Sequence, residues 1–596
     1  MTITRGAVYH RPKSSDAYAR DESTIHVRIR TARDDVERCT LLWGDKYAWA
    51  ETATLTPMTR VGHDERHDYW QVAVEPPYRR LCYAVRIEDA EEQLWLTEYG
   101  LEDGSTEGPS RGDHETVHFF EYPFLNPVDV NRPPEWANDA VFYQIFPERF
   151  ANANADLDPE GVEEWGEPPT RDNFFGGDLQ GITENLEYID DLGITALYLT
   201  PVFESTSNHK YNTTDYYRID PQFGDEDDLQ ELVEEAHDRG IRVMLDAVFN
   251  HAGRQFEPFQ DVVEHGEDSE YADWFHVHEF PIEFEPRPTY DAFAFEPYMP
   301  KLNTEHPEVK AYFIDVATHW IEVADIDGWR LDVANEVDHQ FWRELRQAVK
   351  ELKPDAYILG EIWHDSRAWL RGDQFDSVMN YPFSYATYDF LATDDIDAET
   401  FAEKQTKFQF RYPEQVTEVL FNLLSSHDTP RMRHRCDGDE DRLRLAFLLQ
   451  LTSPGTPCVY YGDEIGMTGG HDPDCRRTMV WDEAEQNRKL RAYVADLISL
   501  RHEEPALRRG YRRFRYDLCD GDGVVYQRTL EDGSVAAEAT DETETLTVAI
   551  NRGEDTLRVP FPGSDTECLF AGGDVTRDDG TWTVGEMSGA VWRHLE

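Results

Sequence analysis

The sequence predicts an α/β protein: a (β/α)8 TIM barrel with an insertion after its third strand, an N-terminal β-sandwich before it and a C-terminal β-sandwich after it. Three observations lead there. Eight short apolar runs alternate with amphipathic helical segments between residues 140 and 461, the texture of a parallel sheet wrapped in helices. The first 125 residues alternate apolar and polar side chains with no helical period. From about Arg508 the period of two returns. The expected domains are 1–125, 126–507 and 508–596, with an inserted subdomain at about 250–302.

In chain order, 24–30 (TIHVRIR) alternates strictly, and 41–49 and 69–74 are aromatic-rich runs broken by turn residues. A linker follows at 126–136, where Pro127, Pro133 and Pro134 cluster. The barrel strands are expected at 141–146 (VFYQIF), 195–200 (TALYLT), 242–246 (RVMLD), 328–332 (GWRLD), 357–361 (YILGE), 376–380 (DSVMN), 419–424 (VLFNLL) and 458–461 (CVYY). Between the second and third, Asp225 can cap a helix whose apolar face is Leu229, Leu232, Val233 and Ala236, closed by Gly240. Between the fourth and fifth, Phe341, Leu345, Val349 and Leu352 recur at helical spacing until Pro354. The insertion is rich in aromatics and acids and shows no clear helical period. After the barrel, 523–529 and the alternating Leu546, Val548 and Ile550 read as strands.

Composition narrows the function. The 596 residues carry 120 Asp and Glu against 57 Lys and Arg, a net charge of −63. Such a surface repels nucleic acid and anionic membranes. With 40% hydrophobic and 13% aromatic residues the chain has a core to build, so the charge belongs on the surface of a folded protein. Its self-repulsion is relieved where molar salt shrinks the Debye length to about 3 Å, and a salt-rich, halophile-like cytosol is expected. Seven cysteines without CxxC spacing suggest neither a disulfide scaffold nor a zinc site. The first eighteen residues lack an apolar signal-type run and no stretch nears 18 apolar residues; a cytoplasmic protein is expected.

Four barrel strands end in acids: Asp246, Asp332, Glu361 and, just past the seventh, Asp428. Arg330 and Asp332 are two apart on one strand and share its inner face, so the guanidinium is expected to hold Asp332 ionised, as a nucleophile requires. Glu361 is flanked by Ile362 and Trp363 with no cation in its word, an environment that suits a general acid. The two acids are 29 residues apart, about one βα unit, hence on neighbouring strands about 4.8 Å apart, compatible with the about 5–5.5 Å carboxyl separation of a retaining glycosidase. His427 beside Asp428, His251 beside Asn250, and His209 and Tyr211 past the second strand add groups that both donate to and accept from sugar hydroxyls. Asn152, Asn154, Asp156 and Asp158 alternate after the first strand, before Gly176, Gly177 and Asp178, a pattern that suits Ca²⁺.

The words DAVFNH (246–251), GWRLDVANE (328–336), GEIWH (360–364) and LLSSHDTPR (423–431) resemble the conserved regions of the α-amylase family, glycoside hydrolase family 13. MPKLN (299–303) and VDHQFW (337–342) resemble marks of its neopullulanase, cyclomaltodextrinase and maltogenic amylase subfamily. HRP (10–12), WGDKYAW (43–49) and DYW (68–70) resemble that subfamily's N-terminal starch-binding-type domain.

The resemblance implies Asp332 as nucleophile, Glu361 as general acid/base, and Asp428 as the acid that binds and distorts the sugar. It places Arg330, His251, His427, Asp246, His209 and Tyr211 around the −1 sugar, Asp472 and Arg476 against its neighbour, and Glu336 and Trp363 toward the +1 side. It implies a structural calcium held by residues matching Asn152, Asn154, Asp158, Gly176 and Asp178, although Ala153 stands where Gly is more usual; separately, in HKYNTTDY (209–216), Asn212 stands where Asp is expected. It implies no organic cofactor, an α-glucan or cyclodextrin substrate, and a homodimer. Alternatives are an α-amylase or oligo-1,6-glucosidase of the same family, disfavoured by the missing signal segment and by the N-terminal domain with MPKLN respectively. A non-catalytic amylase-like subunit is disfavoured because all three acids are kept.

Overall fold

In the computed structural model, residues 3–103, 118–530, 544–561 and 565–595 are described. They divide into two compact units, 1–132 with 395–418 and 510–596, and 133–394 with 419–509.

The second unit is the barrel. Its strands are β1 (Phe142–Ile145), β2 (Ala196–Leu199), β3 (Arg242–Ala247), β4 (Gly328–Leu331), β5 (Tyr357–Gly360), β6 (Ser377–Val378), β7 (Phe421–Leu423) and β8 (Thr456–Tyr460). They pair in the order β6-β5-β4-β3-β2-β1-β8-β7, every named pair parallel. A parallel bridge from Met379 to Phe421 closes the ring between β6 and β7. Alternate residues point inward: Phe142, Tyr198, Met244, Tyr357, Leu359, Phe421, Leu423 and Cys458 form an apolar interior. One step further along the strands the inward layer turns polar, with Gln144, Asp246 and Arg330 all buried. That layer sits toward the C-terminal strand ends, where barrel active sites form.

The helices follow the sequence chemistry. Asp225 caps Glu226–Asp238 by accepting from Asp227 N and Asp228 N, and Asp228 returns the bond to Asp225 N. Leu229, Leu232, Val233 and Ala236 are buried, and Gly240 ends the helix at φ 75°. Asp338 caps His339–Leu352, which buries Phe341, Leu345 and Val349. Leu352, expected on that face, is 40% exposed, because it is the last residue of the helix.

The insertion closes on itself: Leu302 N donates to Asn250 O at 3.1 Å. Contrary to the expectation, it contains a helix, Glu257–His265, which buries Pro258, Phe259 and Val262. Only those three of its nine residues are buried, too few to impose a visible period on so acidic a segment.

In the first unit, one N-terminal sheet has the order Ala17–Ala19, Ile25–Ala32, His67–Val74, Thr59–His63. The other is built on Arg38–Gly44, Leu81–Glu88 and Gln93–Thr97. Ile25, Val27 and Ile29 face Leu81, Tyr83, Val85 and Ile87 in the shared core. His26 and Arg28 on the opposite face are also buried. The segment Asp395–Glu418, which the sequence places within the barrel stretch, covers them: Arg28 Nη1 donates to Tyr412 O at 2.7 Å, and Glu414 lies 3.4 Å from His26. At the C-terminal end, a five-stranded sheet including Gly523–Leu530, Glu544–Asn551 and Ser588–Leu595 packs on Leu557–Pro560, Val575–Asp578 and Thr581–Val584. Val525, Ala549, Val559, Val584 and Trp592 are buried between them, the expected sandwich.

Candidate active site

Strand register assembles the site. Asp246 on β3 lies opposite Arg330 on β4. Leu331 lies opposite Gly360 on β5, so Asp332 and Glu361 leave adjacent strands side by side. Arg330 Nη1 donates to Asp246 Oδ1 and Oδ2 at 3.0 Å and to Asp332 Oδ1 at 2.8 Å. Its Nη2 lies 2.8 Å from Glu361 Oε1. One buried guanidinium thus joins three carboxylates.

This alters the expected contrast between the two acids. Glu361 has no cation in its own word, yet shares one from the next strand. Burial pushes the Asp332 carboxyl well above the usual carboxylate range; Arg330 opposes this, while Glu361 and Asp246 add to it. The expected lowering by Arg330 alone is outweighed, because its single charge is divided and water is excluded. Burial likewise raises Asp246 to about 6 against the pull of Arg330.

Glu361 is fixed further by Val333 N, which donates to Oε2 at 3.0 Å, and by Trp363 Nε1, which donates to Oε1 at 3.2 Å. Trp363 stacks on Tyr381 with ring centres 3.7 Å apart. Asp428, more open than the other two acids, receives Arg476 Nη2 at 3.2 Å, and Arg476 Nη1 is 2.9 Å from Asp472.

The histidines stay neutral near pH 7. Burial drives His427 well below its ordinary value, helped by Arg476 and Arg330, and burial takes His209 and His251 to about 3. Neutral imidazoles offer one donor and one acceptor each, the complement of a hydroxyl. His251 Nε2 sits 3.1 Å from Tyr211 O, and its ring stacks on Phe293.

Asp332, Glu361, Asp428, His209, Tyr211, His251, Glu336, Trp363, Asp472 and Arg476 all line one cleft of about 940 Å³. Asp246, Arg330 and His427 are buried beneath these residues and hold them: Asp246 Oδ2 accepts from the Tyr211 hydroxyl at 2.9 Å, Arg330 donates to Asp332, and His427 Nε2 lies 3.1 Å from Asp428 Oδ2. Sequence reasoning missed Arg171, Asn208, Phe293, Tyr298 and Asn335 on the cleft wall. Tyr298 adjoins MPKLN, and that adjacency is the signal that could have found it. Lys301 of the same word donates to Asn250 Oδ1 and, at 3.0 Å, to Glu336 O, tying the insertion to the loop after β4.

The expected calcium residues lie away from this cleft, and they fit a cation unevenly. Asn152 Nδ2 donates to Asp158 Oδ1 at 2.7 Å, and a Cβ on Gly176 would fall 2.1 Å from that oxygen, so these three converge on a cradle only glycine permits. Asp178 is committed elsewhere: its oxygens accept from Ala153 N, Asn154 N and Gly181 N. The Asn154 side chain turns to Asp156 N at 3.3 Å.

Residues 144–561 match the family described as Alpha amylase, catalytic domain, and residues 1–126 the one described as Alpha amylase, N-terminal ig-like domain. The chain is 53% identical over 564 residues to a cyclomaltodextrinase of Geobacillus thermopakistaniensis (strain MAS1), covering 94% of this chain and 93% of the relative. It is 47% identical over 570 residues to neopullulanase 2 of Thermoactinomyces vulgaris, covering 94% of each. A solved cyclomaltodextrinase structure superposes with a TM-score of 0.91 at 46% identity, over 99% of this chain and 100% of that one.

Proposed function

The chain belongs to the α-amylase family, and on that premise we propose that it hydrolyses α-1,4 bonds, and α-1,6 bonds as well, in cyclodextrins, maltooligosaccharides and pullulan with retention of configuration. The carrying observation is the Arg330 guanidinium shared by Asp332 and Glu361 on adjacent strands at the cleft floor. In this reading Asp332 attacks the anomeric carbon while Glu361, protonated, gives its proton to the leaving oxygen. Glu361 then takes a proton from water, which opens the glycosyl-enzyme; a sugar hydroxyl in place of water gives transglycosylation. Asp428, His209, Tyr211 and His251 hold the sugar at the −1 position with His427 behind them, Asp472 and Arg476 hold its neighbour, and Glu336 and Trp363 the leaving side.

A structural calcium is proposed from the family resemblance alone, and Asn152, Asp158 and the Gly176 backbone would hold it in the loop after β1. The acidic composition supports a salt-rich cytoplasm. A homodimer is proposed from the family resemblance, and sedimentation in high KCl tests it.

Comparison of kcat/KM on β-cyclodextrin, soluble starch and pullulan in molar salt tests the substrate assignment. Preference for cyclodextrin or pullulan over starch is expected. Starch as the best substrate by tenfold or more would favour an α-amylase of the ordinary kind.

A further inference from the structure

Gln144 is the one amide side chain of β1, whose other three residues are Phe142, Tyr143 and Ile145. It is 1% exposed and points into the barrel, where its Nε2 lies 2.7 Å from His427 Nδ1. The other ring nitrogen, Nε2, lies 2.6 Å from the Tyr211 hydroxyl and 3.1 Å from Asp428 Oδ2.

Proton counting fixes the direction of this chain. The Tyr211 hydroxyl has one proton and donates it to Asp246 Oδ2 at 2.9 Å. Asp246, ionised, can only accept. The Tyr211 oxygen must therefore accept from His427 Nε2–H. A neutral imidazole protonated on Nε2 is bare on Nδ1, and the group facing bare Nδ1 must be a donor. Gln144 therefore presents its amide N–H there.

We propose that Gln144 is a positioning residue for the reaction: its amide holds His427 as the Nε2–H tautomer, the one that donates to the Tyr211 hydroxyl on the cleft wall and keeps that hydroxyl aimed at Asp246. The inference rests on the reading of Tyr211 as a substrate contact. The charged and titratable groups around the ring are Tyr211, Asp428, Arg476, Arg330, Glu361 and His209. Arg476 and Arg330 disfavour an imidazolium, so the tautomer, not a charge, is what Gln144 controls.

Gln144→Glu, nearly isosteric, replaces the donor by an acceptor. A carboxylate against Nδ1 favours the imidazolium, protonated from solvent, at low pH and the Nδ1–H tautomer, which leaves Nε2 bare, at higher pH. The expected result is a new alkaline limb in the pH profile of kcat, absent from the wild type. Above it, kcat falls about tenfold or more while KM changes much less. Gln144→Met removes the partner without inverting it, and a smaller loss with no new limb is expected. Parallel profiles in all three proteins, or equal losses in both variants, would overturn the proposal. ¹⁵N imidazole shifts of the wild type give a second reading that requires no variant at Gln144. The His427 signal, assigned by its loss in His427→Gln, is expected to show a bare Nδ1, and a protonated Nδ1 overturns the inference. An inactive wild type would reject the functional reading, while the ¹⁵N result still decides the tautomer.

Discussion

Val333 donates its backbone N–H to Glu361 Oε2 at 3.0 Å from a left-handed conformation, φ 44°. A β-branched residue there carries strain of order 1–3 kcal/mol. It follows Asp332 directly, so the turn that frees the end of β4 also aims an N–H at the acid of β5. Glycine adopts this conformation without strain. Val333→Gly is expected to leave Tm unchanged or raised while kcat falls several-fold, because the turn no longer holds Glu361 as firmly. A variant less stable and equally active would contradict this.

The acid limb of activity follows from Asp332. Its carboxyl is raised by burial, and a nucleophile must be ionised. Activity is therefore present above the raised value and lost as pH falls through it. The limb of kcat/KM, which reports the free enzyme, is expected above the ordinary carboxylate range of about 3.9. Arg330→Lys keeps a charge but not the fork that reaches three carboxylates, and is expected to move the limb upward and lower kcat. A wild-type limb at or below 3.9 would contradict the account.

Thermal unfolding should depend on salt. With a net charge of −63, repulsion between surface carboxylates is screened as KCl rises. Tm is expected to rise by several degrees between about 0.1 and 2 M KCl. A Tm that stays flat or falls would detach the composition from any salt adaptation.

Calcium binding would stabilise the folded chain by mass action. Adding millimolar CaCl2 to chelator-treated protein is expected to raise Tm, and Asp158→Ala, which removes a carboxylate at the Gly176 cradle, to abolish the rise. An identical response in wild type and variant would place the ion elsewhere or nowhere.

Much of this fold is legible in the sequence because strands of a parallel barrel are buried on both faces and read as mostly apolar runs. All eight stand where those runs lie, from 142–145 to 456–460. What escapes local reading is what arrives from elsewhere in the chain. The alternation of TIHVRIR implies a wet face, yet Tyr412 and Glu414 cover His26 and Arg28. The word around Glu361 holds no cation, yet Arg330 reaches it from the neighbouring strand. Gln144 did leave a trace, a lone amide in a buried strand, whose meaning appears only with His427 beside it.

The most direct test of the central claim is to trap the glycosyl-enzyme. Glu361→Gln, or the wild type with a fluorinated glucosyl fluoride whose adduct turns over slowly, is digested and mapped by mass spectrometry. The account predicts one sugar per chain, esterified to Asp332 and absent from Asp332→Asn. An adduct on another carboxylate, or rapid turnover of the fluoride with product of inverted configuration, would contradict it.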